Sequence, residues 1–304
     1  FSRRGPGMRA NVKPDLAHVG GSGTQHPTLG HGLFSILPDG SIIDGCGTSY
    51  ASPLVAKTAA VLDHAIEGEI SRESLIALLV HHAEIPEPLQ SKILAPVARH
   101  LVGFGMPPSA DQILETGDHS ITLVFASRIT HGQQINFRFP WPASLVGPGG
   151  KCRGRAKLTL VSTPPLDARF GSEFVRVNIN ATLQQEQTKG WKNRLEPLYL
   201  PSKREAPLVE AERIEHDLKW SPVKVHAKTF KQGVGPSSNW RLFVEYLTRA
   251  GEVMPEEGVP FTAIVTISDP DGEKPVFNDM RQNLQALGTT IADIRTAARI
   301  TPRV

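Results

Sequence analysis

The stretch Gly45-Cys46-Gly47-Thr48-Ser49-Tyr50-Ala51-Ser52-Pro53 runs without a break into an apolar segment from Leu54 to Ile66. Small or apolar residues at Val55, Ala56, Ala59, Ala60, Leu62, Ala65 and Ile66 predict a helix buried on most sides. Pro53 is expected in its first turn, where a missing N–H removes nothing the helix uses. Ser49 then stands at the helix start, among N–H groups that no earlier carbonyl satisfies and at the positive end of the helix dipole. That setting suits an oxygen nucleophile and the oxyanion formed when it attacks a carbonyl. A serine before a helix is commonly a simple cap, so the surrounding pattern has to carry any functional reading.

Gly47-Thr48-Ser49-Tyr50-Ala51-Ser52-Pro53 resembles the nucleophile motif of the subtilisin-like serine peptidases, G-T-S-x-A-x-P. Phe1-Ser2-Arg3-Arg4-Gly5-Pro6 resembles the family's FSSRGP strand, and Lys13-Pro14-Asp15-Leu16 the KPD that follows it. Val102-Gly103-Phe104-Gly105 resembles the G-x-G segment that closes the subtilisin core. The resemblance covers residues 1–105 and implies an α/β fragment, the last strands and helices of a parallel-sheet domain. It implies Ser49 as nucleophile and, through its backbone N–H, as an oxyanion donor, with Gly47, Thr48, Ala51 and Pro53 supporting the motif. In this family the catalytic Asp, His and Ser follow one another along the chain, and an oxyanion Asn precedes the Ser. The expectation is therefore the C-terminal portion of a longer endopeptidase, inactive alone because Asp, His and Asn lie upstream. Without that missing N-terminal part, its apolar faces should be exposed.

Two features depart from the family. Ala17-His18-Val19-Gly20 follows the KPD where x-A-P-G is usual, and Cys46 stands three residues before the serine, where small polar residues are common. His18, His26 and His31 precede Ser49 and His64 follows it, but histidines in such loops read as solvated, and the resemblance gives none of them a role. Gly20-Gly21-Ser22-Gly23 lacks the G-K-[S/T] of a phosphate loop and reads as turn glycines. No H-E-x-x-H or similar ligand spacing occurs, and adjacent His81 and His82 would point to different sides of a helix. No cofactor is expected from the residues; calcium enters by family resemblance only.

At 304 residues the chain exceeds one usual domain. A formal charge of +3, with Lys and Arg spread among Asp and Glu, argues against a nucleic-acid partner. No apolar run of about eighteen residues could span a membrane. Cys46 and Cys152 read as free thiols, and with no signal peptide they point to a bacterial cytoplasm. Secretion stays open, since a signal could precede Phe1.

After the first helix, Ser71 should cap a second running to His82, and Pro86 and Pro88 should separate it from a third, Leu89 to Leu101, kinked at Pro96. From Met106 short alternating runs predict antiparallel strands at Ser120–Ala126, Gln134–Phe139, Ala156–Ser162, Phe174–Leu183, Val223–Phe230, Trp240–Leu247 and Phe261–Ile267. Residues 106–304 thus read as a β-sandwich domain, jelly-roll or fibronectin-like. Gln184 to Glu215 reads as a long polar excursion, Val276 to Leu287 as a helix, and Ile291 to Ile300 as strand or helix. The functional expectation is a serine endopeptidase acting on polypeptide. The alternative is a pseudopeptidase or scaffold whose β domain binds a partner protein.

Overall fold

The computed structural model describes Gly5, residues 12–22, 32–195 and 220–287, and the backbone of 291–294 and 297–300. The rest of the Phe1–Pro6 motif, His26, His31 and residues 196–219 of the polar stretch lie outside the described residues. The described chain opens with β1 (Leu33–Ile36), β2 (Ile42–Gly45), α1 (Thr48–Ala65), α2 (Arg72–His82), α3 (Ala95–Val102) and α4 (Ala110–Leu114). It continues through β3 (Ser120–Ile129), β4 (Ile135–Pro140), β5 (Val146–Gly147), β6 (Lys151–Cys152), β7 (Arg155–Ser162), β8 (Val177–Gln187) and β9 (Gly190–Leu195). The last elements are β10 (Val223–Thr229), β11 (Asn239–Thr248), β12 (Val259–Ser268), α5 (Val276–Ala286), β13 (Ile291–Ile294) and β14 (Ala297–Ile300). These fall into two compact units, one holding residues 12–65 and 82–113, the other 66–81 and the chain from 114 onward. Among the described residues no helix is long and apolar enough to cross a membrane.

In the first unit, β1 and β2 form an antiparallel hairpin with Phe34 opposite Asp44 and Ile36 opposite Ile42. Its turn is held by the Asp39 carboxylate, which accepts the Ser41 N–H at 2.9 Å and hydroxyl at 2.6 Å. Two expectations for α1 are corrected. The helix begins at Thr48, so Pro53 lies inside it rather than in its first turn, and Leu62 is its one buried residue. The small side chains of Ala56, Ala59 and Ala60 bury little area, and among the described residues the unit's sheet is this hairpin alone. Large apolar side chains are accordingly exposed, among them Phe34 at 67%, Ile36 at 78%, Ile42 at 72% and Ile93 at 87%. The third predicted helix is also corrected. A 3-10 turn, Glu87–Gln90, ends at Ser91 in extended geometry, and α3 starts anew at Ala95. Pro96 lies in the first turn of α3, where it initiates rather than kinks.

In the second unit, α2 starts as expected, with Ser71 Oγ accepting the Ser74 N–H at 3.1 Å. Its polar groups meet a β face. Ser74 Oγ lies 2.8 Å from the Thr262 hydroxyl, the Glu73 carboxylate accepts the Thr163 hydroxyl at 2.5 Å, and buried His81 bridges Thr159 and Thr266 at 2.8 and 2.7 Å. The Lys157 ammonium donates to the His81 carbonyl. These bonds satisfy a helix with no dry face of its own, since Glu73, Ser74 and His81 are buried with Ala77, Leu78, Leu79 and Val80.

All seven predicted strands form, each within a few residues of the expected bounds. They belong to a six-stranded sheet ordered β10-β7-β12-β3-β14-β13 and a four-stranded sheet ordered β4-β11-β8-β9. Described pairings are antiparallel except that of β14 with β3. One buried cluster draws on both, including Leu123 and Phe125, Phe137 and Phe139, Leu158 and Leu160, Val177 and Ile179, Trp240 and Leu242, and Phe261. Trp141 and Trp240 lie 4.3 Å apart in it, with Phe230 at 6.0 and 5.7 Å from their rings. β4 is an edge strand ending at Pro140, as a proline that cannot donate requires.

The polar excursion is corrected over its first part. β8 continues to Gln187 and turns back into β9, so that Gln184 pairs with Asn193 and Glu186 with Trp191. The polar run there is strand rather than loop, and its first two residues, Gln184 and Gln185, are buried. α5 buries Val276, Met280 and Leu284, a single stripe at i, i+4 and i+8. For the segment 291–300, strand or helix by sequence, the structure gives two strands.

Candidate active site

Ser49 is the second residue of α1 and is exposed. The N–H groups of Tyr50 and Ala51 already bond to the Gly47 carbonyl, at 3.0 and 3.3 Å. Helix geometry keeps those of Thr48 and Ser49 out of the ladder, pointing ahead of the helix. They head a helix of eighteen residues, and no acidic residue in the first turn offsets the positive end of the dipole. Chemically the place can bind an anion or a developing oxyanion and present a hydroxyl to solvent.

The loop in front is fixed by close approaches. The Gly47 N–H donates to the Gly20 carbonyl at 2.7 Å, which ties the paired glycines after the KPD to the residue two before the serine. A Cβ on Gly45 would fall 2.0 Å from the Tyr50 hydroxyl, so the tyrosine following Ser49 packs where only glycine leaves room. The KPD motif is held in turn by the G-x-G segment. The Phe104 N–H bonds to the Asp15 carbonyl at 2.8 Å and the Ala17 N–H to the Gly105 carbonyl at 2.9 Å. Gly103 adopts φ 63° and ψ −125°, and a Cβ there would lie 2.0 Å from the Pro14 carbonyl oxygen. Three motifs distant in sequence thus form one hydrogen-bonded set. The sequence alone gave no sign of the Gly20–Gly47 link beyond the pairing of Gly20 with Gly21.

His64, the histidine that follows Ser49 on α1, is not placed to act as its base. His64 is fifteen residues along the same helix, roughly 22 Å away at 1.5 Å per residue. His18 Nδ1 accepts the Val19 N–H at 2.9 Å. His81 is buried in the second unit against Thr159 and Thr266. Cys46 is a half-buried free thiol, while Cys152 is a buried one whose pKa is raised by desolvation, in spite of the hydrogen bond from the Trp240 indole at 3.3 Å. Among the described residues no group of three or more His, Cys, Asp or Glu is placed to hold a metal ion. In the turn Asp269-Pro270-Asp271-Gly272, the Asp269 carboxylate accepts N–H groups of Asp271, Glu273 and Lys274 at 3.4, 2.9 and 2.9 Å. Burial works to raise its carboxyl pKa, but these N–H bonds together outweigh it and hold the group below the usual range.

An uncharacterized protein of Sinorhizobium fredii (strain NBRC 101917 / NGR234), y4bN, is 27% identical over 186 residues. The match takes in 55% of this chain and 41% of that protein, so the chain spans less than half of its relative. Residues 1–109 match the model of the subtilase family. The segment that holds Ser49, its helix and the KPD loop therefore lies within the part of the chain that is similar to the subtilase family and is consistent with a portion of a subtilase.

Proposed function

We propose that Ser49 is the nucleophile of a serine endopeptidase whose substrate is polypeptide. The observation that carries the reading is the placement of Ser49, exposed at the head of α1 inside the segment matched by the subtilase family. Its hydroxyl oxygen attacks the peptide carbonyl as its proton passes to a histidine held by an aspartate. The Ser49 N–H and an asparagine amide stabilise the oxyanion, the amine leaves with the proton from the histidine, and water hydrolyses the acyl-enzyme. The histidine, aspartate and asparagine come from polypeptide upstream of Phe1, following the family order Asp, His, Ser. The place of His64 favours this reading, because it lies too far along α1 to serve. On this account the 304-residue chain alone is inactive, and the exposed Phe34, Ile36 and Ile42 belong against the rest of the catalytic domain. Residues 106–304 are a β-sandwich domain that accompanies it.

The test is labelling with a fluorophosphonate, which loses fluoride to an activated serine oxygen. The polypeptide extended upstream should label at Ser49, and the 304-residue chain and the extended Ser49→Ala variant should not. Undiminished proteolysis by Ser49→Ala would overturn the assignment. A folded extended protein that stays unlabelled would favour the scaffold alternative.

A further inference from the structure

On the outer face of the four-stranded sheet, Arg138 of β4 and Arg241 of β11 are directly opposite in register. Like charges in that position repel, and the sheet gains nothing from them. Both guanidinium groups lie over one ring, Trp191 of β9, at 5.6 and 4.4 Å from its centroid. The two cationic heads are thus no farther apart than the sum of those distances. Arg241 also lies 5.0 Å from the Phe243 ring, and its Nε donates to the Gln184 side-chain oxygen at 2.6 Å, while the Gln184 amide donates to Asn193 at 2.8 Å. The ring and the amide pair fix the Arg241 fork in one orientation and leave its terminal nitrogens free of those contacts.

No carboxylate among the described residues forms an ion pair with either arginine. Glu186, on the same face, instead accepts from the Asn239 amide at 2.7 Å and the Ser237 hydroxyl at 3.5 Å. Desolvation and the facing Arg138 lower the pKa of Arg241, the mark of a cation held without its counter-charge. Arg138 is exposed, and Trp191, Arg241 and Phe243 are half-buried.

We infer that this Arg138–Trp191–Arg241 cluster is a docking site for an acidic stretch of polypeptide. An extended peptide presents side chains i and i+2 on one face about 7 Å apart, a spacing that two neighbouring arginine heads can meet with one carboxylate each. The aromatic ring beneath holds both cations ready, so little side-chain freedom is lost on binding. A long polyanion such as nucleic acid needs a broad positive field, and a chain of formal charge +3 does not supply one. The inference rests on the proposed peptidase reading in one respect: it names acidic proteins as those recruited to that enzyme.

The experiment is fluorescence anisotropy of a labelled Glu/Asp decapeptide titrated with the intact 304-residue chain. A Gln/Asn peptide of the same length and a short duplex DNA serve as comparison probes. The acidic peptide should bind at least about tenfold tighter than either, and more weakly as salt rises from about 50 to about 200 mM. Arg241→Gln and the exposed Arg138→Ala should each weaken it several-fold, and the double variant at least about tenfold, with circular dichroism unchanged. Ser49→Ala should bind as the parent does. Equal binding of the neutral peptide, preference for DNA, or full affinity in a folded Arg138→Ala would overturn the inference. A folded, upstream-extended protein that stays unlabelled by fluorophosphonate while the acidic peptide still binds would remove the peptidase reading and leave the docking site standing.

Discussion

Pro53 bears directly on how Ser49 is presented. In a regular ladder the N–H of residue 53 would bond to the carbonyl of Ser49, four residues earlier; proline has none, and its ring crowds that carbonyl. An interior proline is about 3 kcal/mol less favourable than alanine. Alanine loosens the unfolded chain and returns about 0.5–1 kcal/mol of that difference. Because α1 buries only Leu62, tertiary packing does little to mask the local effect. Pro53→Ala should therefore stabilise α1 by about 2 kcal/mol, which is about thirtyfold in an opening equilibrium. Native-state hydrogen exchange read by mass spectrometry on peptides covering residues 54–62 measures this directly. Exchange slowed by about that factor supports a helix that begins at Thr48. Unchanged or faster exchange refutes the reasoning, because a proline in the first turn lacks nothing that the helix needs, and α1 would then begin later, as residue spacing alone predicts.

Gly103→Ala should detach the KPD segment, since the new methyl would stand within 2.0 Å of the Pro14 carbonyl oxygen in a backbone region open to glycine alone. Thermolysin cleavage before Leu16 should rise at least about tenfold, and unaltered cleavage would show that the G-x-G segment does not hold the loop. The Asp167 carboxyl is held at about 2, first by the Arg169 side chain and then by the Arg169 N–H. Its folded pKa lies below the ordinary 3.8, so the stability it contributes is present above pH 3.8 and lost as pH falls from there toward 2. In urea titrations the gap between parent and Asp167→Asn should close over that window; a gap independent of pH would count against the pairing.

Periodicity made the β-rich part legible, because each strand carries its own alternation and that alternation is local. Val177, Ile179 and Ala181 declare an inward face wherever the strand ends up, and Pro140 declares an edge. Gln184–Leu195 was hidden, since a run rich in Gln, Glu, Lys and Asn without alternation reads like a loop until a partner strand supplies the register. Ser49 was legible because its motif is contiguous, and a helix start needs only local backbone geometry. The sequence by itself determined seven of the strands, the serine at the head of α1 and the three motifs around it. Tertiary structure alone decided what packs on what: α2 with its buried histidine on a threonine-lined β face, Gly20 against Gly47, and two arginines over Trp191. Those contacts join residues far apart in the chain, and no local pattern encodes which distant partner completes a polar group's hydrogen bonds.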